Sequence, residues 1–151
     1  MKKLACLFVF LISTSIFAQR IDRKAVYTYS NDIEFTIYSL SKSRFVDRPN
    51  YKIIAEKGKR FVTMILNFKN KSSEAQIVDL ETIYLVDKND NLYPIDHFLK
   101  TGFRFTKSDR KQKIKANKKQ KIIVQFAPGL PKKEKIIRLL IGEEVIELKY
   151  K

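Results

Sequence analysis

The chain has 151 residues, with 31 Lys and Arg against 16 Asp and Glu and a net charge of +15. One cysteine and four glycines exclude a disulfide framework, a cysteine-based zinc site and a glycine-rich phosphate loop. The length suits a single domain, and the charge favours polyanionic partners: nucleic acid, anionic lipid head groups or acidic polysaccharide.

Residues 1–18, MKKLACLFVFLISTSIFA, have the layout of a secretory signal peptide. Lys2 and Lys3 form a positive start, Leu4 to Ile12 is an unbroken apolar run, and small residues lead to a cut after Ala18. The run is shorter than the roughly 20 residues of a membrane helix, and it has no polar face with which to sit on a core. A lipid anchor would need Cys6 after the run, but it lies near its start. Cleavage leaves residues 19–151 as one cysteine-free domain, with 29 basic residues against 16 acidic ones. The expectation is a secreted or periplasmic protein with no membrane span after cleavage. A chain of this size buries about two-thirds of its surface and needs no covalent staple. Lysine outnumbers arginine 23 to 8, which weakens the nucleic-acid reading, because arginine's flat fork matches phosphate and guanine better.

After QRIDRKA (19–25), expected to be a mobile lead-in, strand signals dominate. DIEFTIYSL alternates Ile33, Phe35 and Ile37 against Glu34, Thr36 and Tyr38, a period of two. RFVTMILNFKN puts Val62, Met64, Leu66 and Phe68 on one face, and Phe61, Thr63, Ile65 and Asn67 on the other. LETIYLVD, the polar turn KNDN and LYPID read as a hairpin. RKQKIKANKKQK (110–121) reads as a second hairpin bending at Asn117, whose returning strand carries Ile122, Val124 and Phe126 inward. KIIRLLIG and EVIELKY meet at Gly142. Turn residues recur about every 10 residues, which predicts an all-β chain. The expected architecture is an immunoglobulin-like β-sandwich of about seven to nine antiparallel strands.

Residues 58–86, GKRFVTMILNFKNKSSEAQIVDLETIYLV, add a resemblance. Gly58-Lys59, the alternating strand Phe61 to Phe68, and the turn Asn70-Lys71 follow in order, then a hairpin with Asp87 in its turn and Tyr93 after it. KIIVQFAP matches a late apolar strand ending in Pro. This pattern resembles the secreted bacterial immunoglobulin-like domains of unknown function that are kin to the immunoprotective extracellular protein. The likeness spans about residues 33–149 and implies the sandwich fold, with no catalytic residue to carry over. Two positions depart from it: Asn89-Asp90-Asn91 and Asn117 stand where that family favours glycine. Antibody-type domains match less well, because the Cys–Trp–Cys core signature is absent.

Few residues suggest chemistry. Asp87, Asn89 and Asn91 have the spacing that opens a calcium loop, but Leu92 and Phe98 stand where glycine and glutamate would complete it. His97, the sole histidine, lacks a serine elbow or cysteine ligands and reads as an ordinary loop residue. FRFTK (103–107) interleaves aromatic and basic residues, as a single-strand platform does, yet the alternation equally sends Phe103 and Phe105 into a core. Glu143 and Glu144 are adjacent, so on a strand they face opposite sides and cannot pair as catalytic carboxylates. No enzyme activity and no cofactor are expected.

The strongest signal is the basic stretch. A hairpin would gather Lys111, Lys113, Lys115, Lys119 and Lys121 on one face, with Lys118 at the tip. That is an anion surface in geometry, and equally a way for exposed strands to avoid pairing with another chain. The leading expectation is therefore an exported, non-enzymatic binding or accessory domain for a protein or cell-envelope partner. The alternative is a polyanion binder acting through these six lysines.

Overall fold

The computed structural model describes residues 20–48, 50–100 and 109–151. The signal-peptide reading and the FRFTK reading fall outside the described residues. Twelve strand segments follow one another: β1 (Val26–Thr28), β2 (Ile33–Ser43), β3 (Phe45–Asp47), β4 (Lys52–Ile54), β5 (Lys59–Asn70), β6 (Gln76–Asp79), β7 (Ile83–Val86), β8 (Leu92–Lys100), β9 (Lys111–Ile114), β10 (Lys119–Pro131), β11 (Arg138–Ile141) and β12 (Glu144–Glu147). A 3-10 turn, Leu80–Thr82, precedes β7. Every strand pairing is antiparallel. No helix among the described residues is long and apolar enough to cross a membrane.

Eight strands form one hydrogen-bonded ladder in the order β1-β2-β5-β10-β8-β7-β11-β12, and β3–β4 and β6–β9 make two side pairs. The ladder folds over at β8. Its first three residues pair with β7, Leu92 opposite Val86 and Pro94 opposite Tyr84. From Ile95 onward it pairs with β10 instead. One layer is then β1-β2-β5-β10 with the end of β8, and the other is β7-β11-β12 with its beginning. The chain is an antiparallel β-sandwich.

The period of two explains the filling. Ile33, Phe35 and Ile37 of β2, Val62, Met64, Leu66 and Phe68 of β5, and Ile122, Val124 and Phe126 of β10 are all buried on one face. Ile83, Leu85, Leu139 and Ile141 close over them from the second layer. Phe35 bridges Tyr27 and Phe68, with ring centroids 5.4 and 5.5 Å away, and Tyr29 meets Phe68 edge-on at 5.9 Å. Tyr29 also accepts the Asp79 N–H at 2.8 Å, so its hydroxyl ties the end of β6 to this cluster.

Polar residues settle the turns. Asp87 is buried, and its carboxylate accepts the Asn89 N–H at 2.8 Å, the Asn91 N–H at 2.9 Å and the Tyr93 hydroxyl at 3.1 Å. Burial pushes its pKa up, but these bonds outweigh that and hold it below the ordinary aspartate value. The carboxylate is thus spent on the β7–β8 turn rather than offered to a cation. Asp90 and Asn117 take the left-handed conformation (φ 63° and 54°), which Asp and Asn tolerate better than other non-glycine residues.

The lead-in is a correction. Ile21 bridges Tyr150, the Asp22 N–H donates to the Lys149 carbonyl at 2.9 Å, and the Lys151 N–H donates to the Arg20 carbonyl at 2.9 Å. Polar composition pointed to a free arm, yet its backbone groups find partners in the C-terminal segment.

Phe68 is central to the ring cluster, so Phe68→Ala is expected to lower the unfolding free energy by about 3–5 kcal/mol. Urea denaturation followed by tyrosine fluorescence measures it. A loss below about 1 kcal/mol would show that the rings are not packed against one another.

Candidate functional site

The outward face of a sandwich sheet is ordinarily polar, but here its middle is apolar. Phe61 is only 7% exposed although it points away from the core, and Ile65, Ile123 and Leu99 on the same side are half-buried. The β3–β4 hairpin accounts for this, because it leaves the end of β2 and lies over that face. Val46 and Ile53 sit opposite each other and are half-buried, while the pair Phe45 and Ile54 is exposed. Between hairpin and sheet runs a cleft of about 410 Å³, lined by Ser43, Phe45, Val46, Asp47, Arg48, Thr63, His97, Leu99, Ile123 and Gln125.

Arg48, Gln125 and His97 meet in it, with Asp96 beside them. The Arg48 side chain is only 8% exposed; its Nη1 donates to Gln125 Oε1 and its Nη2 to Asp96 Oδ2, each at 2.8 Å. Gln125 is buried, and its Nε2 has no hydrogen-bond partner. His97 lies opposite Gln125 on β8. Burial, and then the Arg48 guanidinium nearby, lower the His97 pKa, while Asp96 acts the other way. Asp96 is half-exposed, so the Arg48 ion pair adds little stability by itself and serves to hold the hairpin in place.

His97 is a strand residue in a cleft, which corrects its reading as a loop residue. The cause is a bulge. Gln125 faces His97 and Phe126 faces Ile95, so Asp96 is an extra residue on β8. It shifts the alternation by one, sending His97 and Leu99 outward and Phe98 toward the core. Simple parity from Ile95 would have put His97 inside. Arg48 and Gln125 carried only weak signals: a turn arginine, and a lone polar residue in IIVQFAP.

No nucleophile is poised beside His97 by Ser43. The Ser43 hydroxyl donates to the Phe45 carbonyl at 2.6 Å and accepts the Phe45 N–H at 3.2 Å, so it belongs to the β2–β3 turn. Among the described residues no three His, Cys, Asp or Glu side chains converge as metal ligands.

The basic stretch is not a hairpin, which corrects the second expectation. Lys111–Ile114 pairs with β6, with Lys113 opposite Ile77, whereas Lys119 onward pairs with β5 and β8. The turn between them steps from one part of the sandwich to another because both sides must feed the core: Ile114 and Ile122 are each buried. Asn70 pins the step. Its buried amide donates to the Glu74 carbonyl at 2.7 Å and the Ile114 carbonyl at 3.1 Å, and its oxygen accepts the Ser72 N–H at 2.9 Å.

The six lysines therefore divide. Lys111 and Lys113 on β9 and Lys115 just past its end are exposed, alternating with buried Gln112 and Ile114. Lys118 is exposed in the turn, and Lys119 lies directly opposite Lys69 on the outward face of the long sheet. Glu34 eases that repulsion, 3.2 Å from Lys69 and 3.6 Å from Lys71. Lys121 sits 4.5 Å from the ring centre of Tyr38, which Arg23 also approaches at 4.9 Å. Alternation from buried Ile37 puts this ring on the outer side, and the register shift at Tyr38 then turns Ser39 outward and Leu40 toward the core.

No protein-family model and no curated protein sequence matches this chain. Two solved structures share its fold. A conserved hypothetical protein from Bacillus anthracis superposes with a TM-score of 0.60 at 15% identity, over 86% of this chain and 94% of that one. An uncharacterized β-sandwich protein from Clostridium difficile superposes with a TM-score of 0.51 at 12% identity, over 83% of this chain and 89% of that one. The chain is thus similar in fold to uncharacterized β-sandwich proteins.

Because His97 is the sole histidine, one NMR resonance follows it. Its titration midpoint is expected below the ordinary value of 6.5, and Arg48→Met is expected to raise it by removing a neighbouring cation. The sign for stability follows: the folded state is penalised as pH falls through about 6.5, where the unfolded chain takes up its proton first. A midpoint at or above 6.5 in the unaltered protein would place His97 outside the cleft.

Proposed function

We propose that this chain is an exported, non-enzymatic binding domain, secreted or periplasmic after removal of residues 1–18. The cleft beneath β3–β4 carries the reading, because it has what small-ligand sites have: apolar walls and a few convergent polar groups. The signal-peptide layout supports export. The kinship with secreted immunoglobulin-like domains, read from residues 58–86, belongs to the same proposal. The engaged Ser43 hydroxyl supports a binding role over a catalytic one.

Expression of the full chain with its own leader tests both halves. Mass spectrometry of the product is expected to find Gln19 at the N-terminus. A fragment mixture added to the 15N-labelled product is expected to shift amides at Thr63, His97, Leu99 and Ile123. Retention of residues 1–18 would end the export reading, and shifts scattered away from these positions would end the cleft reading.

A second reading, polyanion binding, is favoured by one observation: Lys111, Lys113 and Lys115 are exposed together along β9 and just past its end. Since the lysines divide, reversing them in two sets separates the possibilities. Affinity for single-stranded DNA, heparin and anionic vesicles is to be measured across a salt series. If about four to six phosphates of DNA are engaged, log K against log salt falls with a slope near −3 to −4. Loss of that slope in Lys111→Glu/Lys113→Glu/Lys115→Glu, but not in Lys118→Glu/Lys119→Glu/Lys121→Glu, would assign it to β9. A flat response in all three proteins removes the reading.

A further inference from the structure

Two buried side-chain nitrogens among the described residues have no hydrogen-bond partner, Arg138 Nε and Gln125 Nε2. Arg138 belongs to the β7–β8 turn, where its other nitrogens bond Asp87 and Asp90. Gln125 belongs to the cleft under the hairpin. Its amide cannot turn over to relieve the orphan. Arg48 Nη1 donates to Oε1 at 2.8 Å, and a flipped amide would set donor against donor. The orientation is therefore fixed by the guanidinium, and both N–H groups of Nε2 remain unmade in a low-dielectric setting.

The surroundings say which acceptor would suit it. Among the described residues lining the cleft, Arg48 is paired with Asp96, and Asp47 at the cleft edge is paired with Lys52 at 3.5 Å, so this lining offers no unpaired arginine or lysine to a carboxylate. Burial, and then the Arg48 guanidinium, disfavour the charged form of His97. Val46, Leu99 and Ile123 supply apolar wall, and about 410 Å³ suits a small molecule. Nε2 itself is enclosed, so an acceptor must displace the side chains around it while Arg48 keeps its bond to Oε1.

We infer that the cleft takes a small neutral molecule with an apolar body and one carbonyl oxygen (an amide, ester or ketone), which accepts from Gln125 Nε2. This rests on the reading of the cleft as the binding site. It adds the class of ligand.

Three probes of one shape isolate the acceptor: N-methylbenzamide, benzoate and toluene, titrated into the exported 15N-labelled protein. N-methylbenzamide is expected to shift the Gln125 side-chain NH₂ signals and to bind about tenfold tighter than the other two, as one recovered hydrogen bond implies. Gln125→Glu keeps an acceptor for Arg48 and removes the donor, so it is expected to abolish that advantage. Gln125→Met serves the same purpose should the glutamate variant misfold. Equal binding of toluene overturns the inference while leaving the cleft a site. Tightest binding by benzoate overturns its neutrality. Absence of cleft shifts with all three probes overturns the site itself.

Discussion

Leu92–Pro94 bond to β7 and the following residues of β8 bond to β10, so a single strand carries the ladder around from one layer to the other. Because the layers share that strand, their apolar faces are brought together by hydrogen bonding as well as by side-chain burial. The corner also sets the outer surface. Just past the corner lies the extra residue Asp96, and that residue reverses the facing of everything after it. Asp96 then meets Arg48, and His97 and Leu99 become walls of the cleft. Without the bulge, the same sequence would send His97 toward the core.

Much of the fold was legible because its longest strands follow a strict alternation. β2, β5 and β10 put their apolar residues where a period of two places them, and the β7–β8 turn lies where KNDN marks it. The parts that were not legible share one cause: alternation gives a side chain's face but not a strand's partner. Lys111–Ile114 and Lys119–Phe126 alternate as a hairpin would, yet they pair with β6 and with β5 and β8. What separates them is Asn70, a buried amide 40 or more residues away in sequence, bonded to the carbonyl of Ile114. Nothing local to the basic stretch announces it. The candidate site was hidden for a related reason, since Arg48, Asp96 and Gln125 come from three strands or turns and converge only after a bulge.

Charge is arranged less simply than its total suggests. The two groups of lysines sit on different strands, and several basic groups already have company: Lys69 and Lys71 have Glu34, whose carboxyl they hold below its usual range, first through the Lys69 hydrogen bond. Lys121 and Arg23 share Tyr38. A cation over an aromatic ring keeps its charge but gives up part of its hydration. The lysines of the basic stretch are therefore distributed over two surfaces, one beside β9 and one on the outward face of the long sheet.

The bridge between Ile21 and Tyr150 has a consequence for how the chain comes to be folded. Its two members stand 129 positions apart, nearly the full span of the domain. A polypeptide emerging end first, from a ribosome or through a translocation pore, presents Ile21 long before its mate. The opening segment must wait unpaired until Tyr150 arrives, so this contact closes only after strands β1 to β12, which lie between the two residues, have emerged.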